Sequence, residues 1–234
     1  MNIATRTRIN TLTFDVFGTI LDLSGSIVPT VEDFLENRQA EISGTQFWQL
    51  WRARQRIEQY QDTIVMLGHS GYLKVARRAL LYTLRHQQLS IEPEEIRKLM
   101  ETFEQLKPFD DAVLGLNRLT ERFQLVALSN GDASLVEHLV SNNIPVHFDA
   151  ALSADAVGCF KPHPSVYRYA AKILNREPDQ IMMVAAHAFD VMGARACGFR
   201  GAYIQRYELP YEESPLRPDL TVSNFIELAD ELLR

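Results

Sequence analysis

Four short stretches carry residue types that could do chemistry. Phe14, Asp15, Val16, Phe17, Gly18 and Thr19 close an apolar run with a carboxylate and turn at once on a glycine. Ser129, Asn130, Gly131 and Asp132 follow the apolar run 123–128. Lys161 stands in FKPHP, and His187, Ala188, Phe189 and Asp190 follow the run IMMVAA at 181–186. A carboxylate at a strand end can attack an electrophile or take a proton, and a lysine beside it keeps it ionised. Each residue also has a plain structural reading on its own. Asp15 and the SNG stretch serve as turn residues, Lys161 as a solvated side chain, and Asp190 as the cap of a helix beginning at Val191.

The elements that must position them follow from periodicity. Residues 9–17, INTLTFDVF, predict a first strand that ends on the Gly18 turn. Residues 28–103 are helical in pattern: Phe47, Leu50, Trp51 and Arg54 recur at helical spacing, as do Leu73, Ala76, Leu80 and Leu84. Pro93 followed by Glu94 and Glu95 marks a helix start. After Pro108, strands and helices alternate. A helix burying Val113, Leu116 and Leu119 leads to a strand at 123–128, then a helix towards Val140 and a short strand at 148–152. A helix at 166–174, a strand at 181–186, a helix at 191–197, a strand at 201–204 and a helix at 225–233 complete the chain.

Short, continuously apolar strands alternating with helices predict an α/β fold with a Rossmann-like parallel sheet covered on both faces. The helical block becomes a cap inserted after the first strand, with a core domain of 1–20 and 105–234 and a cap domain of 21–104. Ligands in such sheets bind beyond the carboxyl ends of the strands, where Asp15, Ser129, Asn130 and the 187–190 stretch all fall.

Bulk composition narrows the partners. The 234 residues are 46% hydrophobic and 23% charged, with a formal charge of -6 spread along the chain, which points to neither nucleic acid nor an anionic membrane. No apolar run is long enough for a bilayer, and the N-terminus lacks the apolar segment of a secretory signal. Cys159 and Cys197 have no metal-type spacing and fit reduced thiols in a cytoplasmic protein.

Taken in order, Asp15, Ser129, Lys161 and Asp190 resemble the four motifs of the haloacid dehalogenase superfamily, over roughly residues 10–206. Most members of that superfamily are phosphatases with D-x-D-x-T in the first motif, whose second aspartate protonates the leaving alcohol, and G-D-x-x-x-D in the fourth, which holds Mg²⁺. Here Phe17 and Ala186 replace two of those acids. A phenyl ring passes no proton, and the magnesium site lacks a carboxylate. The chain therefore resembles the L-2-haloacid dehalogenase subgroup, with D-x-[YF]-G-T, S-N-G, K-P and a fourth motif ending in an aromatic and Asp. Trp51 and Arg52 look like that subgroup's cap arginine, although Arg52, Arg54 and Arg56 equally suit a solvated helix face.

The resemblance implies a metal-independent hydrolase without a cofactor, acting on small haloacids. In it Asp15 is the nucleophile, Lys161 keeps Asp15 ionised, Thr19 steadies it and Ser129 binds the substrate carboxylate. Asp190 orients or deprotonates the hydrolytic water, and Tyr167 supports Lys161. Arg52, Asn130 and Phe189 cradle the leaving halide, with Phe17 as an aromatic wall. The chain departs from the subgroup at Ala185, Ala186 and His187, where S-S-N is common. His187 is either a packed residue or, when protonated, a donor to the leaving group, fluoride above all. Phe47 and Trp51 either pack the cap or face a second copy in a homodimer. The rival functions are opening of a small strained-ring carboxylate at the same site, a Mg²⁺-dependent phosphatase, and a silent member that binds a ligand or partner through its cap.

Overall fold

The computed structural model describes residues 7–207 and 209–234. Residues 1–6, at the start of the expected 1–20 core segment and of the N-terminal stretch read above, lie outside the described residues, as does Glu208.

Six parallel strands form the sheet: β1 (Thr11–Phe14), β4 (Gln124–Ser129), β5 (Ala150–Ser153), β6 (Ile181–Ala185), β7 (Arg200–Ile204) and β8 (Leu220–Val222), in the spatial order β5-β4-β1-β6-β7-β8. The strands read as continuous apolar runs because both faces are covered. In β4, Leu125 and Ala127 join one core with Leu116, Leu139 and Phe225, while Val126 and Leu128 join another with Val166, Tyr167 and Val191. The first face carries helices α5 (Asp110–Leu119), α6 (Ala133–Asn142) and α9 (Phe225–Leu233); the second carries α7 (Pro164–Leu174) and α8 (Ala188–Ala196).

Topology brings the chemistry together. β1 is flanked by β4 on one side and β6 on the other, so the strand order reverses there and a crevice opens beyond the strand ends. Phe14 lies opposite both Ala127 and Val184. One register therefore delivers Asp15, Ser129 and Ala186 to the same edge.

Helices α1 (Leu23–Glu36), α2 (Gly44–Ile64), α3 (Tyr72–His86) and α4 (Pro93–Glu101) fill the segment between β1 and β4. β2 (Leu21–Asp22) and β3 (Lys107–Pro108) pair antiparallel, so the chain leaves and re-enters this block at one place. Ser43 and Gln46 form a reciprocal capping box that starts α2. Phe47 and Trp51 are fully buried, and the Trp51 indole N–H donates to the Ala76 carbonyl at 2.7 Å. Both residues pack α2 against its neighbours rather than face a second copy.

Several boundaries differ from the sequence expectation. β1 stops at Phe14, three residues short of Phe17. The Val16 carbonyl accepts from the Ile20 and Leu21 amides, and Gly18 takes a left-handed φ of 82°, which closes a tight turn. α1 begins at Leu23 rather than Val28, on an Asp22 cap whose carboxylate accepts from the Gly25 amide at 2.9 Å. α7 begins at Pro164, with proline in its favoured first-turn position. β5 starts at Ala150, Val113 is only half-buried, Leu50 is exposed, and β8 was not foreseen. Among the described residues no helix is long and apolar enough to cross a membrane.

Candidate active site

Asp15 is the first residue after β1 and is buried. Its Oδ1 accepts from the Lys161 Nζ at 3.0 Å and its Oδ2 from the Thr19 hydroxyl at 2.7 Å. Thr19 in turn accepts from the Ala186 amide at 3.0 Å, which ties the turn after β1 to the end of β6. Burial alone would raise the Asp15 carboxyl. The Lys161 ammonium above all, with the Thr19 hydroxyl, outweighs it and holds the group well below the usual carboxylate range. The result is a desolvated, permanently ionised carboxylate.

Lys161 bridges two acids. Its ammonium donates to Asp15, to Asp190 Oδ2 at 2.6 Å and to the Leu128 carbonyl at 2.6 Å, which uses all three donors. Burial would lower Lys161, but the two carboxylates reverse that and raise it.

Asp190 is not the cap of a helix starting at Val191. α8 begins at Ala188, with His187 in the cap position, and Asp190 sits inside its first turn with no exposed surface. Its Oδ1 accepts from the Tyr167 hydroxyl at 2.6 Å. Burial pushes Asp190 up to about 6, against the opposing pull of Lys161 and Tyr167. Gly193, one helical turn on, makes room for Tyr167: a Cβ there would lie 2.7 Å from the ring hydroxyl.

Ser129 ends β4, and its hydroxyl accepts from the Gly131 amide at 3.1 Å. Asn130, which the resemblance implies for the halide cradle, contacts the backbone of Lys161. Its amide oxygen accepts from the Lys161 amide at 2.6 Å and its amide nitrogen donates to the Lys161 carbonyl at 3.4 Å. A side chain closed on the backbone of Lys161 fixes where that ammonium emerges.

His187 is buried, with Nδ1 3.2 Å from Asp15 Oδ2 but without an aligned hydrogen bond. Burial holds the imidazole down at about 4 despite the nearby carboxylate. The ring is neutral at neutral pH, so the protonated-donor form considered from sequence is a minor species.

Above the sheet edge, α2 and α3 supply an aromatic and cationic roof. The Tyr72 ring stacks on Phe17 with centroids 4.4 Å apart, and the Tyr72 hydroxyl accepts from Arg52 Nη1 at 3.2 Å. The same nitrogen donates to Gln55 at 2.8 Å. Gly131 is required beneath, since a Cβ there would meet the Phe17 ring at 2.9 Å. Asp132 accepts from the Tyr72 and Leu73 amides at 2.9 and 3.0 Å, holding the start of α3 to the loop after β4. Phe189 packs edge-on to Tyr60 at 6.2 Å and lies 5.5 Å from the His187 ring.

Sequence reasoning missed Arg56, Tyr60, Tyr72 and Tyr207. Of the three arginines on α2, Arg54 turns away to Glu58 at 3.0 Å, whereas Arg56 turns in over the Phe189 ring at 5.8 Å. The signal for Arg56 was present, since it lies one helical turn after Arg52 on the same face. The Tyr207 hydroxyl donates to the Gly18 carbonyl at 2.8 Å, and nothing in its neighbourhood in sequence marks it.

This is the site of a hydrolase with an aspartate at its centre, on a Rossmann-like sheet. The model of the haloacid dehalogenase-like hydrolase family matches residues 9–198, and the chain belongs to that family. It is 33% identical over 202 residues to the (S)-2-haloacid dehalogenase of Xanthobacter autotrophicus, across 85% of this chain and 76% of that one. It is 29% identical over 217 residues to haloacetate dehalogenase H-2 of Moraxella sp. (strain B), across 92% of this chain and 94% of that one. The structure of the L-2-haloacid dehalogenase from Xanthobacter autotrophicus with chloropropionic acid covalently bound superposes with a TM-score of 0.83 at 27% identity, over 96% of this chain and 98% of that one.

Proposed function

We propose that the protein hydrolyses short 2-haloalkanoic acids, haloacetate and L-2-halopropionate, to 2-hydroxy acids through an ester on Asp15, without a metal ion and with inversion at C2. The observation that carries this reading is Asp15 itself, ionised by Lys161 and followed two residues on by Phe17, where a phosphatase would hold its proton donor. A halide leaves without a proton, so a nucleophile paired with an aromatic wall suits it.

In the first step an Asp15 oxygen attacks C2 from the side opposite the halogen. The new C–O bond forms as the carbon–halogen bond breaks, and the bonding pair departs as halide. Ser129 and the main-chain N–H groups that follow Asp15 take the substrate carboxylate. Arg52 and Phe189 receive the halide, where charge develops. In the second step water attacks the Asp15 carbonyl carbon, so the inverted stereocentre is untouched. Asp190 orients or deprotonates that water, while Tyr167 and Asn130 keep Asp190 and Lys161 in place.

Residues 21–104 act as the cap that carries Arg52 and Tyr72 over the sheet edge. Ile64, Val65, Met66 and Leu67 are exposed side by side at the end of α2, a surface that a second copy would cover in a homodimer. The reading places the enzyme in the cytoplasm.

The test is halide release from L- and D-2-chloropropionate and from chloroacetate, with a chelator present. Release from the L-isomer and chloroacetate alone, abolished in Asp15→Asn, is the expected result. Release that requires added magnesium, or none from any of the three, sinks the proposal.

A further inference from the structure

We propose that Arg56 is a second halide-binding residue, so that the departing anion lies between two guanidinium groups on successive turns of α2. This rests on the dehalogenase reading above and goes beyond the single cap arginine that the sequence motif implies.

In-line displacement decides where the halide must go. The nucleophile, the carbon and the leaving group are collinear, so the halide emerges on the side of the carbon away from Asp15. That side is α2, which meets Tyr72, itself stacked on Phe17, through Arg52 and meets Phe189 and Phe160 through Tyr60 and Thr63. Arg56 stands between these ends, over Phe189, and senses the charges of Arg52, Tyr60, Asp15 and Tyr207.

Charge accounting gives the need. Lys161 spends its three donors on Asp15, Asp190 and a carbonyl. Displacement moves a negative charge from Asp15 onto the halide, close to a substrate carboxylate that is already anionic. Asn130 has its amide oxygen and nitrogen engaged by the Lys161 backbone, at 2.6 and 3.4 Å. Arg52 alone, with one nitrogen already shared between Gln55 and Tyr72, faces two anions.

Arg56 has the marks of a group waiting for an anion. Its Nε is buried without a hydrogen-bond partner, and no ion pair joins it to a carboxylate among the described residues. Burial, followed by the neighbouring Arg52, pushes its guanidinium down to about 10. Two cations held together in a half-buried site disfavour the empty protein, and an arriving anion relieves the repulsion. A packing role alone would be filled as well by an apolar side chain.

The experiment compares fluoroacetate, chloroacetate and bromoacetate in wild type, Arg56→Met and Arg56→Lys. Charge on the leaving atom is most concentrated for fluoride and least for bromide, so a halide donor matters in that order. The expected losses of kcat/KM in Arg56→Met rise from about 10-fold on bromoacetate to on the order of 100-fold or more on the poorer leaving groups, the scale of one preorganised donor. Arg56→Lys should recover part of that gradient, and Arg56→Met should melt no lower than wild type. An equal loss on every halide, or none, overturns the inference while the dehalogenase reading stands. A wild type that releases no bromide overturns both.

Discussion

The Tyr72 ring lies flat on Phe17, with centroids 4.4 Å apart and planes 8° from parallel. One residue stands beside the nucleophile on the sheet edge and the other begins a helix of the inserted block. Phe17 therefore does more than omit a proton donor. It is the platform on which Tyr72 is seated, and Tyr72 holds Arg52 at 3.2 Å. In the proposed reaction, the residue that stands in place of a proton donor also helps to aim the cation for a departing anion.

Tyr72→Phe keeps the stack and deletes only the hydroxyl. Arg52 then loses one of two acceptors, and kcat/KM for chloroacetate should fall by about 10-fold, the scale of one hydrogen bond to a charged group. Melting should change little, because no ring volume is lost. Steady-state kinetics beside a thermal melt check this; unchanged kinetics would detach Tyr72 from Arg52.

The pH dependence of ester hydrolysis should report Asp190. In the free protein burial pushes this carboxyl up to about 6, and the Asp15 charge adds to the rise. Esterification neutralises Asp15 and leaves Lys161 to Asp190 alone, so the group should titrate below that value in the intermediate. In the proposed mechanism hydrolysis requires the ionised form. The rate should therefore be flat at neutral pH and fall with falling pH on a limb below about pH 6. Single-turnover measurements on the preformed ester locate the limb, and a limb above pH 6 would assign the base elsewhere.

Tyr167→Phe removes a 2.6 Å donor to Asp190 without opening a cavity. That hydrogen bond favours the ionised carboxylate, so its loss should move the acid limb upward. Since one pKa unit corresponds to about 1.4 kcal/mol, a shift of roughly one unit is the expected size. The same pH–rate profile reads it, and an unshifted limb with reduced kcat would make Tyr167 a packing residue.

Lys161→Met leaves two buried carboxylates with no ammonium between them. Stability at neutral pH should drop by about 3–5 kcal/mol, the cost of breaking a buried pair. The sign of its pH dependence follows. Without Lys161 the folded-state pKa values of Asp15 and Asp190 rise above those of the unfolded chain, so the folded state binds more protons. The variant should regain stability as pH falls from about 8 to about 5. Urea denaturation across that range tests it, and a loss that does not vary with pH would contradict the arrangement.

By itself the sequence determined the parallel sheet and the order of its chemistry. Continuous apolar strands followed by turn residues are local patterns, and two-sided burial of the kind seen in β4 is what writes them. Asp15, Thr19, Ser129, Lys161, Tyr167 and Asp190 were legible because each follows or flanks such a strand or belongs to a motif of fixed spacing. Helix starts were less legible, since a backbone that begins early on a cap such as Asp22 leaves little trace in apolar periodicity. The tertiary structure alone decided what each polar side chain touches. Asn130 closes on Lys161, Asp132 holds α3, Arg54 turns out, Arg56 turns in, and His187 is neutral through burial. These outcomes depend on groups brought close from distant parts of the chain. Their energies are set by desolvation and by charges a few ångströms away, and the strength of neither is encoded in neighbouring residues.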